Sequence, residues 1–111
     1  MAGLKLSTQD IKLIENTPEY LNITFTVSWY QEDIHSLIEL MFKPIMPLNI
    51  QESISGADRE NIRFEWHQHR FVVNFDCYSQ SCWVEGQDEQ SKANLSTLHE
   101  ILENHVKTRD S

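Results

Sequence analysis

Cysteine, glycine and proline are all scarce in this 111-residue chain, which has 2 Cys, 3 Gly and 3 Pro. So little glycine and proline excludes collagen-like or linker-like character. Two cysteines, Cys77 and Cys82, cannot supply the several bridges of a disulfide scaffold. No Gly-rich phosphate loop, Gly-x-Ser-x-Gly, Cys-x-x-Cys or His-Glu-x-x-His pattern occurs, so the commonest phosphate, nucleophile and zinc-hydrolase signatures are missing. Positive charge is also short. There are 9 Lys and Arg against 17 Asp and Glu, for a net charge of -8 and a pI near 4.9. That field opposes nonspecific binding to nucleic acid or to an anionic membrane. Long apolar runs are lacking too. The longest, Ile34 to Met46, contains His35, Glu39 and Lys43 and is too short and too charged to span a bilayer. No apolar stretch of signal-peptide type follows Met1, which predicts a soluble cytoplasmic protein. On that reading Asn22-Ile23-Thr24 and Asn94-Leu95-Ser96 match the glycosylation pattern by chance.

What is present is enough apolar material for a core, at 40% hydrophobic and 10% aromatic. The length suits one α+β domain over residues 1–111, with residues 1–8 and 107–111 frayed. A short strand is expected at 10–15, and Thr17-Pro18-Glu19 reads as a turn. Leu21, Ile23, Phe25, Val27 and Trp29 alternate with polar residues, which predicts a strand over 20–29 with one buried face. The period then becomes helical at Ile34, Leu37, Ile38 and Met41. Ser28 and Gln31 fit a capping box and Pro44 stops the helix, so it is placed at 31–43. Alternation returns over 48–54, 60–67, 70–77 and 82–86, with Ser55-Gly56-Ala57-Asp58 as a turn. A final helix over 92–106 presents Leu95, Leu98, Leu102 and Val106.

The four later strands can be set in register. A loop at Gln68-His69 opposes Trp66 to Phe71, Phe64 to Val73 and Ile62 to Phe75. A loop at 78–81 opposes Cys77 to Cys82 and Phe75 to Val84, and one at 55–59 opposes Ile50 to Phe64 and Leu48 to Trp66. All three hairpins agree on one apolar face. The expected architecture is a two-layer sandwich: a mainly antiparallel sheet of about five strands, with two helices on one face, in the order β(β)αββββα.

Three groups of residues are candidates for function. Cys77 and Cys82 could serve a thiol-dependent enzyme only with a base to activate them. His67-Gln68-His69 places two imidazoles at strand spacing, but a metal would need further ligands. The histidines sit at a hairpin tip and the cysteines at the opposite end of the sheet, so neither a catalytic residue nor a cofactor is assigned. The third group is on the wet sheet face. The pleat that turns Cys82 inward turns Trp83 outward, opposite Asp76, diagonal to Asn74 and near Glu85. An outward Trp among acidic groups has the character of an interface anchor.

Ser55-Gly56-Ala57-Asp58-Arg59, Phe64-Glu65, Phe75-Asp76-Cys77-Tyr78 and Cys82-Trp83-Val84-Glu85 together resemble a family of small acidic bacterial proteins of unknown function. The resemblance covers roughly residues 46–86. The chain departs from that pattern at His67-Gln68-His69, where a short Glu-Gly type of turn is usual, and in a longer C-terminal helix. The resemblance implies a bacterial, cytoplasmic setting and no catalytic residues. The expectation is therefore a non-enzymatic binding module whose acidic surface around Trp83 docks a protein partner. The alternatives are a metal- or thiol-dependent enzyme and a homodimer.

Overall fold

A computed structural model describes residues 6–107. The expectation of fraying at residues 1–5 and 108–111 lies outside the described residues; within them, Thr8–Asp10 form a 3-10 turn. The elements are β1 (Ile11–Asn16), β2 (Tyr20–Phe25), α1 (Ile34–Met41), β3 (Asn49–Ser55), β4 (Arg59–Trp66), β5 (His69–Asp76), β6 (Ser81–Gly86), α2 (Glu89–Ala93) and α3 (Leu95–Lys107). The sheet has six antiparallel strands in the order β1-β2-β6-β5-β4-β3. This is the expected α+β class, with one strand more because the segment near 10–15 forms a full strand.

Strands β3 to β6 make the meander, and β2 lies beside β6, so the first hairpin extends the same sheet. Ile62, Phe64, Phe71, Val73, Phe75, Cys82 and Val84 are buried on one face. Leu37, Met41, Leu98 and Leu102 of the helices join them in a single core. Phe64 is held between Phe42, at a ring distance of 5.1 Å, and Phe71, at 5.6 Å. The two histidines of α3 pin it down. His99 Nε2 lies 3.0 Å from the Ile14 carbonyl, and His105 Nε2 lies 3.0 Å from that of Leu40. Gly86 lets α2 rest directly on the end of β6, since a Cβ there would fall 2.4 Å from Lys92 N.

Two registers differ from the sequence arithmetic, each by two residues. Phe64 opposes Phe71 and Ile62 opposes Val73, with His67 and Gln68 rather than Gln68 and His69 in the turn. Both turn residues have positive φ, at 52° and 67°, as a two-residue turn of the hairpin type requires. Likewise Phe75 opposes Cys82 and Val73 opposes Val84, so Cys77 lies in the turn and is not the cross-strand partner of Cys82. A shift of two keeps every side chain on its face, so the core face stands although the pairs change. Ile50 does oppose Phe64, but a bulge between Ile50 and Glu52 turns Ile54 to the outer face, where it pairs with Asn61.

β2 also ends earlier than the alternation predicts. Its last residue is Phe25, and Trp29 reaches the core from the following loop. There it meets Phe75 edge-on at 5.6 Å. Ser28 and Gln31 do not form the helix cap. A 3-10 turn over Gln31–Asp33 precedes α1, and the Asp33 carboxylate accepts from Tyr30 N–H at 2.8 Å. Among the described residues no helix is long and apolar enough to cross a membrane.

Candidate functional site

Among the described residues all the helices lie against one side of the sheet, which leaves its other side open. The pleat orders that open face into cross-strand rows. One row runs Glu15, Asn22, Trp83, Asn74, Asn61, Ile54 across all six strands. The next runs Tyr20, Glu85, Val72, Arg63, Glu52. Of these, Tyr20 and Ile54 are exposed at 37% and 47%, and Leu13 adds a third exposed apolar side chain at 46%.

Three of the expected residues come together here. Trp83 does turn outward, yet it is half-buried rather than fully exposed, because Asn22 and Asn74 stand directly on either side of it. Asn74, not Asp76, is its cross-strand partner on β5. Asn74 is itself buried, and its amide is satisfied. Its Oδ1 accepts from Asn61 Nδ2 at 2.6 Å, and its Nδ2 donates to Glu85 Oε1 at 3.2 Å. The result is a hydrogen-bonded line from β4 through β5 to β6 that fixes Glu85 at the edge of an open depression of about 330 Å³, which Tyr20, Asn22 and Trp83 also line.

Asp76 falls outside this group. Its Oδ1 accepts from Tyr78 N–H at 3.0 Å and Ser79 N–H at 3.3 Å, which closes the β5–β6 turn, and its Oδ2 lies 3.6 Å from Arg59 Nε. The other face charges pair locally: Arg63 with Glu52 at 3.5 Å, Lys92 with Glu19 at 3.1 Å. Such exposed pairs add little stability. Among the described residues Glu15 and Glu85 accept from the amides of Asn22 and Asn74 and take part in no ion pair.

The residues of the enzymatic reading are kept apart. The histidines lie at one end of β5 and Cys77 at the other. His67 sits in the turn with its ring edge-on to Trp66 at 4.5 Å, while His69, opposite Trp66, is half-buried on the helix side. Among the described residues, no three of His, Cys, Asp and Glu gather where they could hold a metal ion. Both cysteines are free. Burial raises the Cys77 thiol above its ordinary pKa, with Asp58, Asp76, Glu60 and Asp33 adding to the effect, and complete burial drives Cys82 higher still. A thiolate is disfavoured at both positions.

Tyr20, Leu13, Ile54, Asn22 and Asn61 belong to the open face but were not singled out from sequence. Tyr20 and Asn22 were within reach, since they share parity with Thr24 on the polar side of the alternation. Leu13 and Ile54 were not, because bulges in β1 and β3 reverse their parity.

The profile of a family described as a protein of unknown function, DUF3630, matches residues 11–103. No curated protein and no solved structure matches the chain.

Proposed function

The chain belongs to the DUF3630 family of proteins of unknown function, and from its geometry we propose that it is a small non-enzymatic module that docks a basic protein partner on its open sheet face. The observation that carries this reading is the make-up of that face. Exposed Tyr20 stands beside the recessed Trp83, exposed Leu13 and Ile54 lie farther out on the two edge strands, and Glu15 and Glu85 take part in no ion pair among the described residues. Aromatic anchors within a polar rim are the usual anatomy of a protein interface. The net charge of -8 favours a basic partner and speeds its approach. Binding is favoured over catalysis because the histidines and cysteines stand at opposite ends of β5 and neither thiol is acidified. Two free thiols suit a reducing cytoplasm, and the resemblance to acidic bacterial proteins adds the organism class.

Site-specific photocrosslinking tests the reading. A benzophenone amino acid replaces Tyr20 on the open face, or Glu100 on the exposed side of α3 as a control. The proposal expects a heterologous adduct to a basic protein from position 20 and none from position 100. An adduct of the chain to itself from position 20 would make the face a homodimer interface instead.

A further inference from the structure

The two edges of the sheet are finished differently. β1 has a bulge between Ile11 and Leu13 and is overlain by α3, whose His99 reaches the Ile14 carbonyl. β3, at the other edge, is exposed along its whole length and carries a single charge, Glu52, with no Lys or Pro. Past its own bulge, Glu52 to Ser55 pair with β4 in unbroken register, so the outer side of this stretch offers a regular row of N–H and C=O groups that no described residue pairs.

Beside this edge, on the helix side, runs an apolar groove of about 300 Å³ between α1 and β3. Ile38 and Ile62, both nearly inaccessible, form its floor, and half-exposed Ile50 and Met46 form its rim. Glu39 of α1 stands at its mouth and takes part in no ion pair among the described residues. An extended chain laid along β3 would send alternate side chains into this groove.

We propose that β3 accepts an added strand from a protein partner, an extended segment with an aliphatic side chain that fills the groove and a Lys or Arg two residues away that meets Glu39. This edge is separate from the open face, and the inference does not depend on that face being a docking surface. Main-chain hydrogen bonds supply affinity and the groove supplies selectivity, as in other strand-addition complexes. A second copy is the poorer occupant. Two β3 strands paired antiparallel about their centres would set Glu52 against its own counterpart, and like charges directly opposite are destabilising.

The test is a nitrogen-15 NMR titration of the full chain with the blocked peptide Thr-Val-Thr-Lys-Thr-Val-Thr. A control peptide carries N-methyl groups at alternate peptide bonds. The proposal expects amide shifts confined to 49–55 and the groove side of α1, and no binding of the methylated peptide. Glu39→Lys should weaken binding by about threefold, the size of an exposed ion pair. Ile50→Lys, at an exposed position, should abolish binding without lowering the thermal midpoint. Equal binding of the methylated peptide, shifts centred on Trp83, no shift in β3 at millimolar peptide, or a peptide-free dimer with protected β3 amides would each overturn it.

Discussion

Gln80 holds the main chain of Trp29 with both ends of its amide. Trp29 N–H donates to Gln80 Oε1 at 2.9 Å, and Gln80 Nε2 donates to the Trp29 carbonyl at 2.7 Å. The same Nε2 also reaches the Cys77 carbonyl at 3.0 Å. One side chain thus ties the loop before α1 to the β5–β6 turn, and it fixes the depth at which the Trp29 indole meets Phe75.

Removing that tie leaves main-chain groups without partners. Gln80→Ala should cost about 1–3 kcal/mol in urea unfolding. Gln80 has a positive φ of 58°. Gln80→Gly loses the same bonds but relieves that backbone, so it should be less destabilised than Gln80→Ala.

Phe64→Ala should cost about 3–5 kcal/mol, a large share of the ~5–15 kcal/mol typical of a domain. The ring is 1% exposed and touches Phe42 and Phe71. A loss below about 1 kcal/mol would remove it from the centre of the core.

Gly86→Ala tests the seat of α2. The added methyl would meet main-chain atoms of Ser91 and Lys92 at 2.4–2.7 Å, which cannot rotate away. A loss of about 1–3 kcal/mol is expected, the usual range for overpacking. Full stability in calorimetry would mean that α2 shifts freely on the sheet.

Which side chains share a face was legible in the sequence, but how deep they sit and where the turns fall was not. Alternation placed Phe64, Val73, Phe75 and Cys82 inward and Trp83 outward. The β4–β5 and β5–β6 turns contain no glycine to mark them. His67, Gln68 and Gln80 adopt positive φ as non-glycine residues, so sequence spacing alone sets both loops one residue late. The half-burial of Trp83 depends on β2 lying beside β6, a long-range pairing that no local pattern encodes. Trp29 continued the parity of β2 and so concealed that the strand had already ended at Phe25.

Asp88 gives the fold part of its acid sensitivity. It caps α2 by accepting from Ser91 N–H at 2.7 Å, and its bonds to Ser91 hold its carboxyl below the ordinary 3.8, with small help from His69 and Arg70. A lowered folded pKa means that the stabilisation is complete above 3.8 and is lost as pH falls through the lowered value. Asp88→Asn keeps an acceptor for the cap and removes the titration. Its unfolding midpoint should therefore fall less steeply than that of wild type below pH 4, and parallel acid limbs would assign the effect elsewhere.

The thiols should separate in reactivity. Cys77, half-buried in the turn, should react slowly with iodoacetamide in the native protein and faster as pH rises. Cys82 should react only after unfolding. Mass spectrometry with and without urea reads both. Prompt native labelling of Cys82 would show that β6 opens on its own.

The docking role of the open face is tested most directly by comparing two charge-matched variants in affinity capture from native cells. Glu15→Gln with Glu85→Gln removes the charge of the face and keeps an acceptor for Asn22 and Asn74, and Glu32→Gln with Glu100→Gln alters exposed positions elsewhere. The account predicts that a basic protein retained by the wild type is lost with the face variant and kept with the control, while both variants unfold at the wild-type temperature. Retention of that protein by the face variant would contradict it.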